Sequence, residues 1–95
     1  MRLTRVEQEV ILRCIKIHDS EADVRLFGSR VDDEKRGGDI DLLVISKKIT
    51  FANKIDILVA IKNEIGDQKI DLCIFKPDAN DPFLEHILPK SVRME

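Results

Sequence analysis

The chain has 95 residues, of which 43% are hydrophobic and 36% are charged, and its formal net charge is -2. This length and balance predict one globular domain over residues 1–95 and exclude a disordered chain. The slightly negative charge argues against direct nucleic-acid binding, which usually needs a basic face. No run approaches about 18 apolar residues and no signal segment is present, so we expect a cytoplasmic protein without a membrane span.

The first third of the chain predicts a helix, a strand and a sharp turn. Thr4 and Glu7 have the spacing of a capping box, and apolar residues then recur at helical spacing, which predicts a helix over 5–18. A short apolar run at 24–27 predicts a strand that stops at Gly28. The first strand should therefore end in a turn that begins with glycine.

Two further strands and two further helices are predicted beyond a charged loop at 30–38, in which one helical turn would fit. Strands are predicted at 39–46 and 69–75, with a helix between 50 and 66, and a short helix is predicted at 82–88. The order is α-β-(α)-β-α-β-α. The fold class is therefore α/β, which some schemes would name α+β.

Acidic residues at the start of two strands are the main chemical signal of this sequence. Asp39 and Asp41 point to one face of their strand, where they repel each other unless a cation lies between them. The third strand carries Asp71 at the phase of Asp41, and a helix between two strands favours parallel pairing. The three carboxylates should then converge into a site for Mg²⁺ or Mn²⁺. The alternative is that acids collect at strand ends because those ends are solvated.

A Gly-Ser turn precedes the acidic strand. Glycine lets an anion approach the backbone and serine adds a hydroxyl donor, so Gly28 and Ser29 are candidates for holding a phosphate. Taken alone, the same dipeptide is typical of an ordinary strand-to-helix turn. Nine residues separate Ser29 from Asp39, which is enough for a short loop to bring the next strand back beside the turn. Phosphate donors facing three acids are the groups that nucleotidyl transfer needs.

The sequence resembles the DNA polymerase beta nucleotidyltransferase superfamily, specifically its minimal nucleotidyltransferase (MNT) members. The resemblance covers about residues 4–88. It rests on a Gly-Ser pair, a nine-residue spacer, an Asp-x-Asp motif and a later acid in an apolar strand, here Gly28, Ser29, Asp39, Asp41 and Asp71. The resemblance implies the nucleotidyltransferase fold, a mixed sheet of three or four strands with helices packed on it.

The same resemblance implies a role for each residue of the pattern. Asp39 and Asp41 would bind two Mg²⁺ ions, and Asp71 would bind the catalytic ion and assist the nucleophile. The Gly28-Ser29 turn would hold the β- and γ-phosphates of ATP. Arg30 stands at a position that is often arginine in these proteins, which implies a further phosphate contact.

A partner protein is also implied by the resemblance. Many stand-alone MNT proteins resemble antitoxins encoded beside a HEPN-domain ribonuclease toxin, and the implied reaction transfers AMP from ATP to a tyrosine of that toxin. A chain this short would meet its acceptor on another chain, in a homo- or hetero-oligomer. Two alternatives stay open: a non-catalytic antitoxin of the same fold that neutralises its partner by occlusion, and a small acidic structural protein whose aspartates only cap strands.

Overall fold

A computed structural model describes residues 1–32 and 38–94 of the chain. Its helices and strands are α1 (Arg5–Lys16), β1 (Asp23–Phe27), β2 (Ile40–Ile45), α2 (Phe51–Ile65), β3 (Ile70–Phe75), α3 (Pro82–Ile87) and β4 (Val92–Arg93). Two 3-10 turns occur at Gly28–Val31 and Leu88–Lys90. The first of these turns begins at Gly28 and overlaps only the start of the charged loop at 30–38, in which one helical turn was expected. The centre of that loop, 33–37, lies outside the described residues.

The strands form one mixed sheet in the order β3-β2-β1-β4. β2 and β3 are parallel and α2 connects them, whereas β1 is antiparallel to both β2 and β4. This confirms the predicted mixed sheet and its parallel pair. The sequence did not predict β4, because its two residues lie in a polar tail and are held by pairing with Arg25 and Leu26 rather than by any local pattern.

Helices pack on both faces of the sheet. On one face α1 and α2 cover the central strands, and the fully buried side chains there include Ile11, Ile15, Leu26, Leu42, Ile57 and Ile61. On the other face, which we name the α3 face, Leu84 and Ile87 of α3 join Leu43 in a smaller cluster. Because side chains alternate along a strand, Asp41 points to the same α3 face as Leu43.

The helix ends follow the capping chemistry that the sequence predicts. The Thr4 side chain accepts the N–H of Glu7 at 3.0 Å, and the Glu7 carboxylate accepts the N–H of Thr4 at 2.9 Å. Thr50 caps α2, and Gly66 ends it with φ +91°. Helix α1 ends two residues before the predicted boundary, where the chain turns so that Asp19 can accept a 2.5 Å hydrogen bond from Ser46.

Two expectations from composition can be compared with the structure. Cys14 is buried and Cys73 is partly buried, and both are free thiols. Across the described part of the chain, none of the helices combines the length and the apolar character needed to cross a membrane.

Candidate active site

The parallel pair of strands brings two of the predicted acids side by side. Asp41 of β2 and Asp71 of β3 are register partners, so their side chains leave the sheet next to each other on the α3 face. Asp41 is partly buried and Asp71 is exposed. The matching positions of the two acids in the sequence thus set their carboxyl groups side by side, where they interact, at the amino end of the parallel pair.

This contact disfavours ionisation of Asp41. Burial is the main cause that raises the pKa of Asp41, followed by the charge of Asp71, a side-chain hydrogen bond with Asp71 and the charge of Asp39. Lys69 acts in the opposite direction but does not offset the other causes. Two like charges held directly opposite each other destabilise a sheet, so this position is unfavourable unless something binds there.

The third acid has a different neighbour. Asp39 precedes β2, and the Ile40 N–H donates to the Lys69 carbonyl at 3.0 Å, which sets Asp39 beside Lys69. Their side chains form an ion pair, with 3.4 Å between Lys69 Nζ and Asp39 Oδ2. Within residues 1–32 and 38–94, no three acidic, histidine or cysteine side chains are gathered closely enough to hold a metal ion. Of the three predicted acids, Asp41 and Asp71 therefore lie together, whereas Asp39 forms an ion pair with Lys69.

The Gly-Ser turn lies directly against the acids. Phe27 is the register partner of Asp41, so the chain reaches Gly28 just beside that carboxylate. Gly28 has φ +74°, and a Cβ at this position would overlap Asp41 Oδ2. On the far side of the turn Gly38, with φ +90°, leaves no room for a Cβ against Ser29 Oγ. The positive φ favours glycine at both positions, and a Cβ at either one would also displace the Asp41 or Ser29 side chain.

Arg30 is placed beside the turn, and its guanidinium is engaged with the protein. It donates to the Gly38 carbonyl at 3.2 Å, to the Arg2 carbonyl at 2.9 Å and to Gln68 Oε1 at 3.4 Å. These bonds tie the amino terminus and the end of the charged loop to the edge of the site. A phosphate contact by Arg30 stays a prediction, and the guanidinium has two further N–H donors beyond these three bonds.

Two residues of this region were not assigned from the sequence. Lys69 was missed although a signal was available: aligning the two acidic strands sets it opposite Asp39. Gly38 was noted only as part of a glycine pair, and its role depends on Ser29, which lies nine positions away. Contacts of this kind depend on how the loop returns to the sheet, which no local pattern specifies.

The donor set fits a divalent cation. Carboxylate oxygens are the ligands that Mg²⁺ prefers, and a cation between Asp41 and Asp71 would stabilise the ionised forms that now oppose each other. Asp39 could join them by leaving Lys69, since the two side chains are 41% and 72% exposed and a surface ion pair contributes little. With the Gly28-Ser29 turn adjacent, the site can hold a cation beside a phosphate.

Comparison with known proteins identifies the family of the chain. A family model described as "Polymerase beta, Nucleotidyltransferase" matches residues 9–94 of the chain. The matched range includes the Gly-Ser turn and all three acids. A search of curated proteins gave no match for the chain.

Proposed function

Because the chain belongs to the polymerase beta nucleotidyltransferase family, we propose that it transfers AMP from ATP to a tyrosine hydroxyl of a HEPN-domain ribonuclease toxin and thereby acts as an antitoxin. The family indicates nucleotidyl transfer in general, with a nucleoside triphosphate and a divalent metal. One observation carries the proposal for this chain. The turn suited to phosphate, at Gly28, touches the carboxylate of Asp41, which is itself in contact with Asp71.

The proposed division of labour follows from that geometry. The N–H groups of the Gly28-Ser29 turn and the Ser29 hydroxyl hold the β- and γ-phosphates, which leaves the α-phosphate facing the acids. Asp39, Asp41 and Asp71 would hold Mg²⁺, which when bound neutralises charge on the triphosphate. Asp71 is more exposed than Asp41, so an incoming hydroxyl can reach it.

The reaction is an in-line displacement at the α-phosphorus. The acceptor oxygen forms a bond to that phosphorus, the bond to the β-phosphate oxygen breaks, and pyrophosphate leaves. Asp71 orients the hydroxyl and accepts its proton. The Gly28-Ser29 turn keeps its hold on the departing phosphates, so the charge that develops on them meets fixed donors.

The proposal is tested with ATP labelled at the α-phosphate. The purified chain, Mg²⁺ and the HEPN protein encoded by the adjacent gene are incubated together, and the label is followed onto the HEPN protein. We expect label from the α position and none from the γ position. Asp41→Asn and Asp71→Asn should abolish it, whereas Asp78→Asn, a change of an exposed acid in the loop after β3, should not.

The alternatives give different outcomes in the same assay. A tight complex with the HEPN protein that inhibits its ribonuclease without any transfer of label supports occlusion and contradicts the enzymatic proposal. The absence of both binding and labelling supports the structural protein. Labelling that survives loss of both Asp41 and Asp71 would exclude the assignment of the acids as the reacting site.

A further inference from the structure

A second site is suggested by the opposite end of the parallel strands. Within the described residues, a cavity of about 380 Å³ opens where β2 and β3 end and α2 begins. Its lining combines apolar and cationic side chains, and those used below are Lys47, Lys48, Phe51, Lys54, Ile74 and Lys76. In sheets with parallel strands, the crevice beyond the carboxyl ends of the strands is a common place for ligands to bind.

The four lysines of this cavity, which we name the lysine collar, carry positive charge that the protein offsets only in part, since Lys48 also interacts with the carboxylate of Asp19. None of them forms an ion pair with a carboxylate in the part of the chain that the structure describes. Asp19, the nearest buried acid, is engaged by the Ser46 hydroxyl and the Glu21 N–H. Four cations around one opening in a chain of net charge -2 favour a ligand with several negative charges.

The collar is separate from the acidic site. Each strand residue advances about 3.3 Å, so Asp41 and Ile45, the last residue of β2, are about 13 Å apart, and Lys47 and Lys48 follow Ile45 in the chain. The two sites also use different faces, because Ile74 packs with the α1 and α2 core whereas Asp41 points to the α3 face.

The cavity also offers a surface for a planar group. Phe51 is 77% exposed at the first position of α2, and Lys54 Nζ lies 5.8 Å from the centre of its ring. Ile49 and Ile74 supply the apolar wall beside it. A phenyl ring exposed to water is unfavourable. A ligand that combines an aromatic base with phosphates would cover the ring and also bind the four cations.

We propose that the lysine collar and Phe51 form a second binding site, for a nucleoside di- or triphosphate, at the carboxyl end of the β2–β3 pair. The lysines bind the phosphates and the Phe51 ring stacks on the base. The positive end of the α2 dipole points to the same anion. This site is independent of the proposed transfer reaction, because it shares no residue with the acidic site.

The test is a titration of the full ¹⁵N-labelled chain with ADP in EDTA, where metal-dependent binding at the acids is excluded. We expect amide shifts concentrated at residues 47–54 and 76. The double variant Lys48→Ala with Lys76→Ala should weaken ADP binding by about tenfold, and high salt should weaken it further. Lys62→Ala, which removes one positive charge from α2 outside the cavity, should change affinity by less than about twofold.

A second variant separates the base from the phosphates. Phe51→Ala should weaken ADP binding by about fivefold and leave inorganic pyrophosphate unchanged, since only the base would stack on the ring. Equal affinity for pyrophosphate and ADP overturns the nucleotide assignment, and binding of single-stranded RNA without binding of ADP replaces it with a nucleic-acid surface. Shifts confined to the Gly28 region, or equal losses in Lys62→Ala, overturn the site altogether. Labelling of the HEPN protein reports on the transfer reaction separately from all of these results.

Discussion

The two ends of the β2–β3 pair have opposite charge and are built in different ways. At the amino end Asp41 and Asp71 are forced together by strand register, with Asp39 and Lys69 beside them. At the carboxyl end the lysines extend from turns and from α2, where each can move away from the others. Repulsion is therefore fixed by the sheet only at the acidic end. Natural proteins keep such unfavourable contacts where function needs them, which makes the acidic end the stronger candidate for chemistry.

The largest expected effect is at the contacting acids. Asp41→Asn should reduce AMP transfer by about a thousandfold, because it removes a ligand for the metal. The same change should raise the free energy of unfolding by about 0.5 kcal/mol, since it removes a like charge directly opposite Asp71. Label transfer and urea unfolding of one preparation measure both. A variant that loses activity and stability together would indicate that Asp41 supports the fold rather than the reaction.

The next effect concerns the turn beside those acids. Gly28→Ala combines a positive φ with overlap of the new Cβ and the Asp41 carboxylate, whereas Gly66→Ala meets a positive φ and open space. Gly66→Ala should cost about 1–2 kcal/mol of unfolding free energy, and Gly28→Ala should cost about 1 kcal/mol more. Only Gly28→Ala should also reduce AMP transfer. Equal stability losses and unchanged transfer would show that the turn does not need to touch Asp41.

An acid near the basic end provides a contrast with Asp41. Hydrogen bonds, first from the Ser46 hydroxyl and then from the Glu21 N–H, hold the pKa of Asp19 below its ordinary value, with help from Lys48 and against burial. A carboxyl with a lowered pKa stabilises the fold above its unfolded pKa, and that stabilisation is lost as the pH falls through the folded pKa.

Asp19→Asn should therefore cost about 1–2 kcal/mol of unfolding free energy at pH 7 and progressively less as the solution is acidified. Urea unfolding of the wild-type chain and the variant across that pH range measures the difference. Asp78→Asn, which alters an exposed acid in a loop, is the matched control and should show no such dependence. A cost that is constant with pH would mean that the Ser46 contact does not depend on the charge of Asp19.

The smallest effect is expected at the ion pair that holds Asp39. Lys69→Ala should change the unfolding free energy by less than about 0.5 kcal/mol, because both side chains are largely solvated. Mg²⁺ should bind about threefold more tightly to the variant, since Asp39 is freed from a competing cation. Calorimetric titration with Mg²⁺ checks this, with Lys62→Ala as control. Weaker Mg²⁺ binding in Lys69→Ala would mean that the lysine orients Asp39 instead of competing for it.

The acidic strands were predictable because their patterns are local. The repeated run of an apolar residue, an aspartate and four apolar residues identifies β2 and β3, and the helix between them favours parallel strands. The contact between Asp41 and Asp71 follows from that pairing once the two acids occupy the same phase. Their assignment as metal ligands remains a prediction, which the mutants above address.

Other features could not be predicted because they depend on distant residues. Strand β4 exists through its pairing with β1, and its own sequence of Val92 and Arg93 carries no strand signal. The lysine pair after β2 reads as a solvated turn until Lys54 and Lys76 join it from α2 and the end of β3. The bonds of Arg30 to Arg2 and Gln68 likewise join segments that are far apart in the chain.

The sequence by itself determined the order of the helices and the first three strands, the capped helix ends, the Gly-Ser turn and the phase of the acids, because each depends on spacing along a few residues. The tertiary structure decided which charged groups meet. In the folded chain Gly28 lies against Asp41, Asp39 forms an ion pair with Lys69, and four lysines line one cavity. These contacts between distant residues depend on strand register and on how the loops return to the sheet. Both are fixed by packing of the whole chain rather than by any short segment of it.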